Sequence, residues 1–153
     1  MPRPRSEFCS TISAAPDDSS FQITIYGGWN INMPLSYEQV YVLSIPSFQW
    51  VPISDQGNRD ALLQQDDIGR RGHTCNLYGD RQMVVLGGNI ESGGNIINAA
   101  SCNTSWPTLQ VLDTTAFVWQ TQLNPAPSDY AVPEQVYSVI GGRSVKTARI
   151  AKV

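Results

Sequence analysis

The side chains best suited to chemistry in this chain are one histidine and three cysteines, His73, Cys9, Cys75 and Cys102. His73 and Cys75 are two residues apart, so on a β-strand both point to the same face. Zinc and copper sites need several imidazoles or thiolates, and CxxC spacing is absent. We therefore predict a structural role for His73, ahead of a Cys–His dyad, and no metal or cofactor. At least one of the three thiols is left unpaired within the chain, and their pairing stays open.

Other motifs with chemical potential are weaker. The acidic pairs Asp17-Asp18 and Asp66-Asp67 lie among turn-forming residues, which favours solvated turns over a calcium site. The glycine-rich segments Gly87-Gly88-Asn89 and Gly93-Gly94-Asn95 are not followed by the Lys-Ser/Thr of a phosphate-binding loop. A Gly-x-Ser-x-Gly nucleophile elbow is also missing. The sequence thus predicts no catalytic residues and no enzymatic activity in this chain.

Composition excludes two classes of partner. The chain has 153 residues, 15% of them charged, and a net charge of −3, so it lacks the basic stripe that nucleic acid requires. No apolar run approaches the roughly 20 residues that span a bilayer, which predicts no membrane insertion. The N-terminus has positive charge but no apolar segment behind it, so no signal peptide is expected. Asn103-Thr104-Ser105 matches a glycosylation sequon in a predicted loop, which favours a secreted parent.

The elements that position these residues follow a repeat. A short apolar run ends on a glycine pair at Gly27-Gly28, Gly87-Gly88 and Gly141-Gly142. Further matches lie at regular offsets: Arg5 and Arg70 are 65 residues apart, and Phe48-Gln49-Trp50 and Phe117-Val118-Trp119 are 69 apart. The offset changes only where one unit has the longer loop, as expected for one β unit used more than once.

We predict four strands in each unit. They lie at 7–13, 21–26, 39–45 and 48–53, then at 70–77, 81–86, 109–113 and 116–121, with a long loop at 89–105 and a strand of a third unit at 136–142. The corresponding division is 1–54 for the first unit, 55–69 for a linker, 70–123 for the second unit and 124–153 for a connection, partial strand and tail.

These motifs resemble the kelch repeat, whose units form four-stranded blades of a β-propeller. The likeness to fungal kelch proteins is carried by Tyr26-Gly27-Gly28-Trp29, by residues 69–75 (Gly-Arg-Arg-Gly-His-Thr-Cys) and by Val139-Ile140-Gly141-Gly142. The expected fold is all-β, an incomplete kelch-type propeller with four-stranded antiparallel meander blades. The resemblance implies that the glycine pairs end each second strand and that Trp50 and Trp119 pack between neighbouring blades.

The resemblance also carries expectations about the whole protein. Fungal kelch proteins of this kind usually have a secretory signal and a membrane span, which implies a secreted or membrane-anchored parent. A closed ring needs at least four blades. Two blades therefore predict a fragment, or a ring completed by other chains, with open strand edges that favour self-association.

The function that follows is a non-catalytic binding scaffold for a protein or a glycan. Candidate contacts are Trp29, Asn30 and Asn32 at a blade end, and His73 if it faces the central channel. Two alternatives stay open. One is a fragment of a galactose-oxidase-like propeller whose site residues lie on other blades, and the other is a truncated gene product without a function of its own.

Overall fold

The computed structural model describes residues 1–32, 39–54, 69–92, 95–98 and 108–141. It contains strands β1 (Cys9–Ala14), β2 (Phe21–Tyr26), β3 (Val40–Ile45), β4 (Gln49–Ile53), β5 (Gly69–Arg71), β6 (Thr74–Tyr78), β7 (Gln82–Leu86), β8 (Asn89–Ser92), β9 (Asn95–Asn98), β10 (Leu109–Asp113) and β11 (Val118–Gln120), and the helix α1 (Glu134–Ile140). Several predicted features lie outside the described residues, namely Asp66-Asp67, Gly93-Gly94, Cys102, the sequon at Asn103 and Gly142.

The first blade is an antiparallel meander in the order β1-β2-β3-β4. Its strands are rich in β-branched residues, and burial alternates along β1 and β3, so that one face of the sheet is covered. Pro52 lacks a backbone N–H and lies exposed in β4, a strand at the edge of this sheet, where that loss is tolerated.

The second blade has the same plan. Strands β6, β7, β10 and β11 form a four-stranded sheet, antiparallel throughout. Between β7 and β10 the chain leaves the blade and forms β8 and β9, which join β5, the strand before β6, in a smaller antiparallel sheet with the order β5-β8-β9. The predicted all-β architecture of four-stranded antiparallel meander blades is confirmed.

The repeat extends to single hydrogen bonds. Arg5 Nη1 donates to the carbonyl oxygen of Gly27 at 2.9 Å, and Arg70 Nη1 donates to that of Gly87 at 3.1 Å. Ser6 pairs with Trp29 in an antiparallel bridge, as Arg71 pairs with Asn89 in the second unit. The backbone also repeats at Phe48 and Phe117, which share a left-handed conformation with φ of 53° and 52°. The register inferred from the sequence is therefore the register of the backbone.

The core lies between the two blades. Tyr26 of the first blade packs on Trp119 of the second with ring centroids 4.8 Å apart. Around this pair lie buried apolar residues from both sheets, including Val40, Val42, Val51, Ile53, Met83, Val85, Leu112 and Phe117. Trp119 thus packs between blades, as the resemblance implies, whereas Trp50 is only partly buried. Burial of this apolar surface is the main force that holds the blades face to face.

The predicted strand at 136–142 is wrong, because residues 134–140 form α1. Val136 and Ile140 are four residues apart, which is a helical spacing, and both pack on the core, as does Val132 just before the helix. Pro133 precedes the first helical residue, and Gly141 ends the helix with a positive φ of 79°, which a residue without a Cβ adopts at little cost. No helix in the described ranges is long and apolar enough to cross a bilayer.

Two smaller corrections concern the second unit. The predicted strand at 70–77 is split into β5 and β6, because Gly72 has a left-handed φ of 62° that turns the chain between them. The predicted loop at 89–105 contains β8 and β9, which pair with each other and with β5. The alternation signal is weak there because Asn and Gly, which are poor strand formers, surround short apolar pairs.

Candidate functional site

Two places in the molecule bring side chains together in ways that suit chemistry or binding. The first, here called the inter-blade cluster, consists of Cys9, His73 and Cys75. The second, here called the hairpin groove, is formed by the first hairpin of each blade and by the segment that follows β11.

The inter-blade cluster lies where β1 and β6 run side by side. Cys9 and Cys75 form a disulfide between the blades, with Cα atoms 5.5 Å apart and 66 residues of separation. Such a distance is ordinary for a disulfide. The spacing of the cysteines leaves their pairing open, because nothing in it shows that β1 and β6 are neighbours.

His73 lies beside this disulfide and is not exposed to a channel, since only 6% of it is accessible. Its ring packs edge-on against Tyr26 with centroids 5.1 Å apart. Burial, and to a smaller extent the positive charge of Arg70, lower the pKa of His73 from 6.5 to about 4, so the ring is neutral at pH 7. The carbonyl of Tyr26 acts in the opposite direction on this pKa. This carbonyl acts on the ring without meeting it in ordinary hydrogen-bond geometry, so neither ring nitrogen makes a well-formed hydrogen bond with a described residue.

The glycine pairs determine where this imidazole lies. Gly27 and Gly88 have left-handed φ values of 68° and 83°. A Cβ on Gly27 would lie 2.7 Å from Cε1 of His73, and one on Gly88 would lie 2.8 Å from its Cβ. The glycine motif of each blade therefore lacks a side chain where His73 lies, and this absence leaves room for the imidazole.

The predicted contacts at Trp29, Asn30 and Asn32 lie elsewhere and hold the N-terminal segment in place. The guanidinium of Arg71 stacks over the Trp29 ring at 4.7 Å, and Asn30 Nδ2 donates to the carbonyl of Pro4 at 2.9 Å. The backbone N–H of Asn32 donates to Asn30 Oδ1. The structure does not bring these residues together with His73, and their role in binding stays a prediction.

The hairpin groove has a volume of about 990 Å³. Apolar side chains form much of its walls: Ile12, Phe21 and Tyr78 are 57%, 42% and 40% exposed. Three carboxylates also line it, and they belong to Asp18, Asp80 and Asp129. The groove lining includes no lysine, arginine or histidine.

The segment after β11 forms one wall of this groove, and hydrogen bonds from each blade hold it in place. Gln82 exchanges two hydrogen bonds with the backbone of Asn124, at 2.8 and 2.9 Å. Gln22, which stands at the matching position of the first blade, accepts a hydrogen bond from the Tyr130 hydroxyl at 3.2 Å. Burial raises the pKa of Tyr130, so this hydroxyl keeps its proton at any physiological pH. The segment between these two anchors is therefore fixed relative to both blades.

The nearby arginine does not neutralise the groove. Arg81 forms a bidentate pair with Asp113, in which Nε donates to Oδ1 at 2.9 Å and Nη2 lies 2.8 Å from Oδ2. Its Nη1 also donates to Ser128 Oγ. Because Asp113 balances this positive charge, the groove carboxylates give the site a net negative potential. The sequence predicts only a solvated turn residue at Asp18 and gives no signal at Asp80 or Asp129, since the three come from segments far apart in the chain.

Comparison with known proteins agrees with the repeat. No protein-family model matches the chain. A Kelch repeat-containing protein from Arthroderma benhamiae is 32% identical over 165 aligned residues, which cover 92% of this chain. The chain spans only 22% of the length of that relative. With this similarity, the doubled glycines and the two antiparallel blades, the chain belongs to the kelch-repeat family.

Proposed function

We propose that this chain is a non-catalytic binding scaffold, and that the hairpin groove holds a segment of a partner protein that carries lysine or arginine beside apolar side chains. The observation that carries this proposal is the lining of the groove, where three carboxylates flank exposed apolar walls without a basic residue among them. Peptide-binding sites combine apolar anchors with a charged rim in this way.

Rigidity supports binding at this site. Asp18 and Asp80 have left-handed φ values of 55° in the connections that join the first two strands of each blade, so the backbone that carries them is held in a defined conformation. Pro125 and Pro127 restrict the opposite wall, and the Tyr78 hydroxyl donates to the carbonyl of Pro125 at 3.1 Å. A groove that is ordered before binding loses less conformational entropy when a partner enters.

The chemistry of the described residues favours binding over catalysis. Copper-radical oxidases with a related propeller use two histidine and two tyrosine ligands, and this chain has one histidine. That histidine is buried, its pKa of about 4 is too low for a general base of ordinary strength at pH 7, and its cysteine neighbours share a disulfide. These features support a scaffold in which the groove recognises a partner and does not transform it.

The proposal is tested by selecting peptides on the immobilised chain from a random display library, with a glycan array probed in parallel. We expect the selected peptides to be enriched in lysine and arginine beside aliphatic residues. Their affinity should fall with ionic strength, because exposed charge pairs are screened by salt. A variant with Asp18, Asp80 and Asp129 changed to asparagine should lose at least about tenfold in affinity, the equivalent of ~1.4 kcal/mol.

A matched control is Glu134→Gln, which removes an exposed carboxylate on α1 outside the groove and should leave affinity unchanged. Equal binding by the triple variant and the parent chain would refute the proposal. Selective binding of glycans, without binding of basic peptides, would show that the scaffold recognises carbohydrate.

A further inference from the structure

The inter-blade cluster presents three metal-binding side chains from two blades in one small volume. The Sγ atoms of Cys9 and Cys75 and the ring nitrogen of His73 all lie within 4.8 Å of one another. Donors on one tetrahedral zinc ion lie roughly 3.3 to 3.8 Å apart, as bond lengths of about 2.0 to 2.3 Å require. Side-chain shifts of about 1 Å would therefore convert the cluster into a coordination sphere.

His73 supplies an independent sign that a ligand belongs here. Only 6% of it is exposed, and neither ring nitrogen makes a hydrogen bond of ordinary geometry with a described residue. A buried polar atom without a partner costs about 1–3 kcal/mol, so a protein rarely keeps one without a reason. One ring nitrogen lies within 4.8 Å of both sulfurs, which makes the sulfurs its nearest metal-binding neighbours among the described residues.

We propose that Cys9, His73 and Cys75 form a zinc site that the Cys9–Cys75 disulfide keeps closed and that becomes available when this disulfide is reduced. In the oxidised chain the two sulfurs are bonded to each other and cannot act as thiolates. A dithiol reductant transfers two electrons and two protons, so that it forms its own disulfide while Cys9 and Cys75 become thiols. Zinc then displaces both thiol protons to solvent and binds two thiolates and the His73 imidazole.

The surroundings favour the reduced site. The Gly27 and Gly88 backbones hold the imidazole in place, and the Tyr26 ring packs against it. The ligands come from both blades, so zinc would replace the covalent link between the blades with a coordinate one. With two thiolates and one imidazole the donor set suits a borderline-soft cation such as Zn²⁺ and disfavours Mg²⁺ or Ca²⁺.

The test uses the 153-residue chain without an affinity tag, in a Cys102→Ser background that removes the third thiol. The chain is reduced with a phosphine, and zinc affinity is measured by competition with a chromogenic chelator at pH 7.5. We expect one zinc per reduced chain and, for the oxidised chain, an affinity at least about 100-fold weaker, because the disulfide withholds both thiolates.

Two substitutions separate this site from adventitious thiol binding. Cys75→Ser should weaken zinc binding by at least about 100-fold, and His73→Phe by at least about tenfold, since each removes one ligand. Phenylalanine is a suitable replacement because Phe8 stands at the matching position in the first unit, 65 residues earlier. Unchanged affinity in His73→Phe, or equal binding by the oxidised and reduced chains, would overturn the proposal.

A spectroscopic measurement on the parent chain tests the site even if the variants do not fold. X-ray absorption of the zinc-loaded parent chain should show two sulfur ligands and one imidazole. His73 is the only histidine in the chain, so any imidazole scattering belongs to it. A zinc environment without imidazole would show that the metal is held by thiolates alone, which contradicts the proposed site.

Discussion

Two phenylalanines at matching positions of the two blades allow a direct test of how much burial in the core stabilises the chain. Phe48 and Phe117 precede the repeated tryptophans by two residues and share the same left-handed backbone. Their surroundings differ, because Phe117 is 1% exposed in the core between the blades whereas Phe48 is 71% exposed. Replacing each by alanine changes the same atoms on the same backbone and leaves burial as the variable.

The expected magnitudes differ by several kcal/mol. Truncating a fully buried phenylalanine to alanine lowers the free energy of unfolding by about 3–5 kcal/mol, because transfer free energy is lost and a cavity remains. Phe48 is mostly in water already, so Phe48→Ala should cost less than about 1 kcal/mol. Backbone strain at a positive φ affects both alanine variants alike and cancels in the comparison. The difference should therefore be about 3 kcal/mol.

Urea unfolding at pH 7, followed by tryptophan fluorescence, measures both values. With an m value of about 2 kcal/mol/M, Phe117→Ala should lower the midpoint by about 1.5 M more than Phe48→Ala. Equal losses would show that the two positions have similar surroundings in solution. That result would refute the packing of the blades described above.

Three further predictions use the same unfolding assay. Cys75→Ser should destabilise the oxidised chain by about 2–4 kcal/mol, because opening a long covalent loop restores entropy to the unfolded state, and reduction of the parent chain should reproduce the loss. Folding favours the neutral form of His73, since its pKa is about 4 in the folded chain against 6.5 in the unfolded chain. The free energy of unfolding should therefore be at its full value above pH 6.5 and fall by about 3 kcal/mol as the pH is lowered toward 4. The fall should be smaller in His73→Phe. Tyr130→Phe should cost about 1–2 kcal/mol, because it leaves the Oε1 atom of Gln22 buried without its donor, and an unchanged midpoint would show that this hydrogen bond is absent.

The blades were predictable because their signals are local. A β-branched apolar run ended by Gly-Gly predicts β2 with its observed bounds, Phe21–Tyr26, and a short apolar run predicts β10 at Leu109–Asp113. Both strands lie centrally in their sheets, where neighbouring strands on each side favour β-branched and apolar residues. The failure at 136–142 has a physical cause, since Val136 and Ile140 fit a helical period as well as a strand, and contacts with β3 and β4 decide between them.

The candidate sites were less predictable because they join segments that are remote in sequence. Cys9 and Cys75 become neighbours only when β1 and β6 lie side by side, and no local pattern encodes that contact. Each carboxylate of the hairpin groove, taken alone, is an ordinary turn residue. A site of either kind follows from the packing of the blades, which periodicity and motif spacing do not specify.

The packing of β1 beside β6 is the central structural claim, and disulfide mapping of the unreduced chain tests it most directly. Trypsin separates the three cysteines into peptides 6–59, 72–81 and 82–143. We predict that mass spectrometry finds peptide 6–59 linked to peptide 72–81, with the Cys102 peptide outside this link. A link from Cys102 to either of the other cysteines would contradict the arrangement of the two blades.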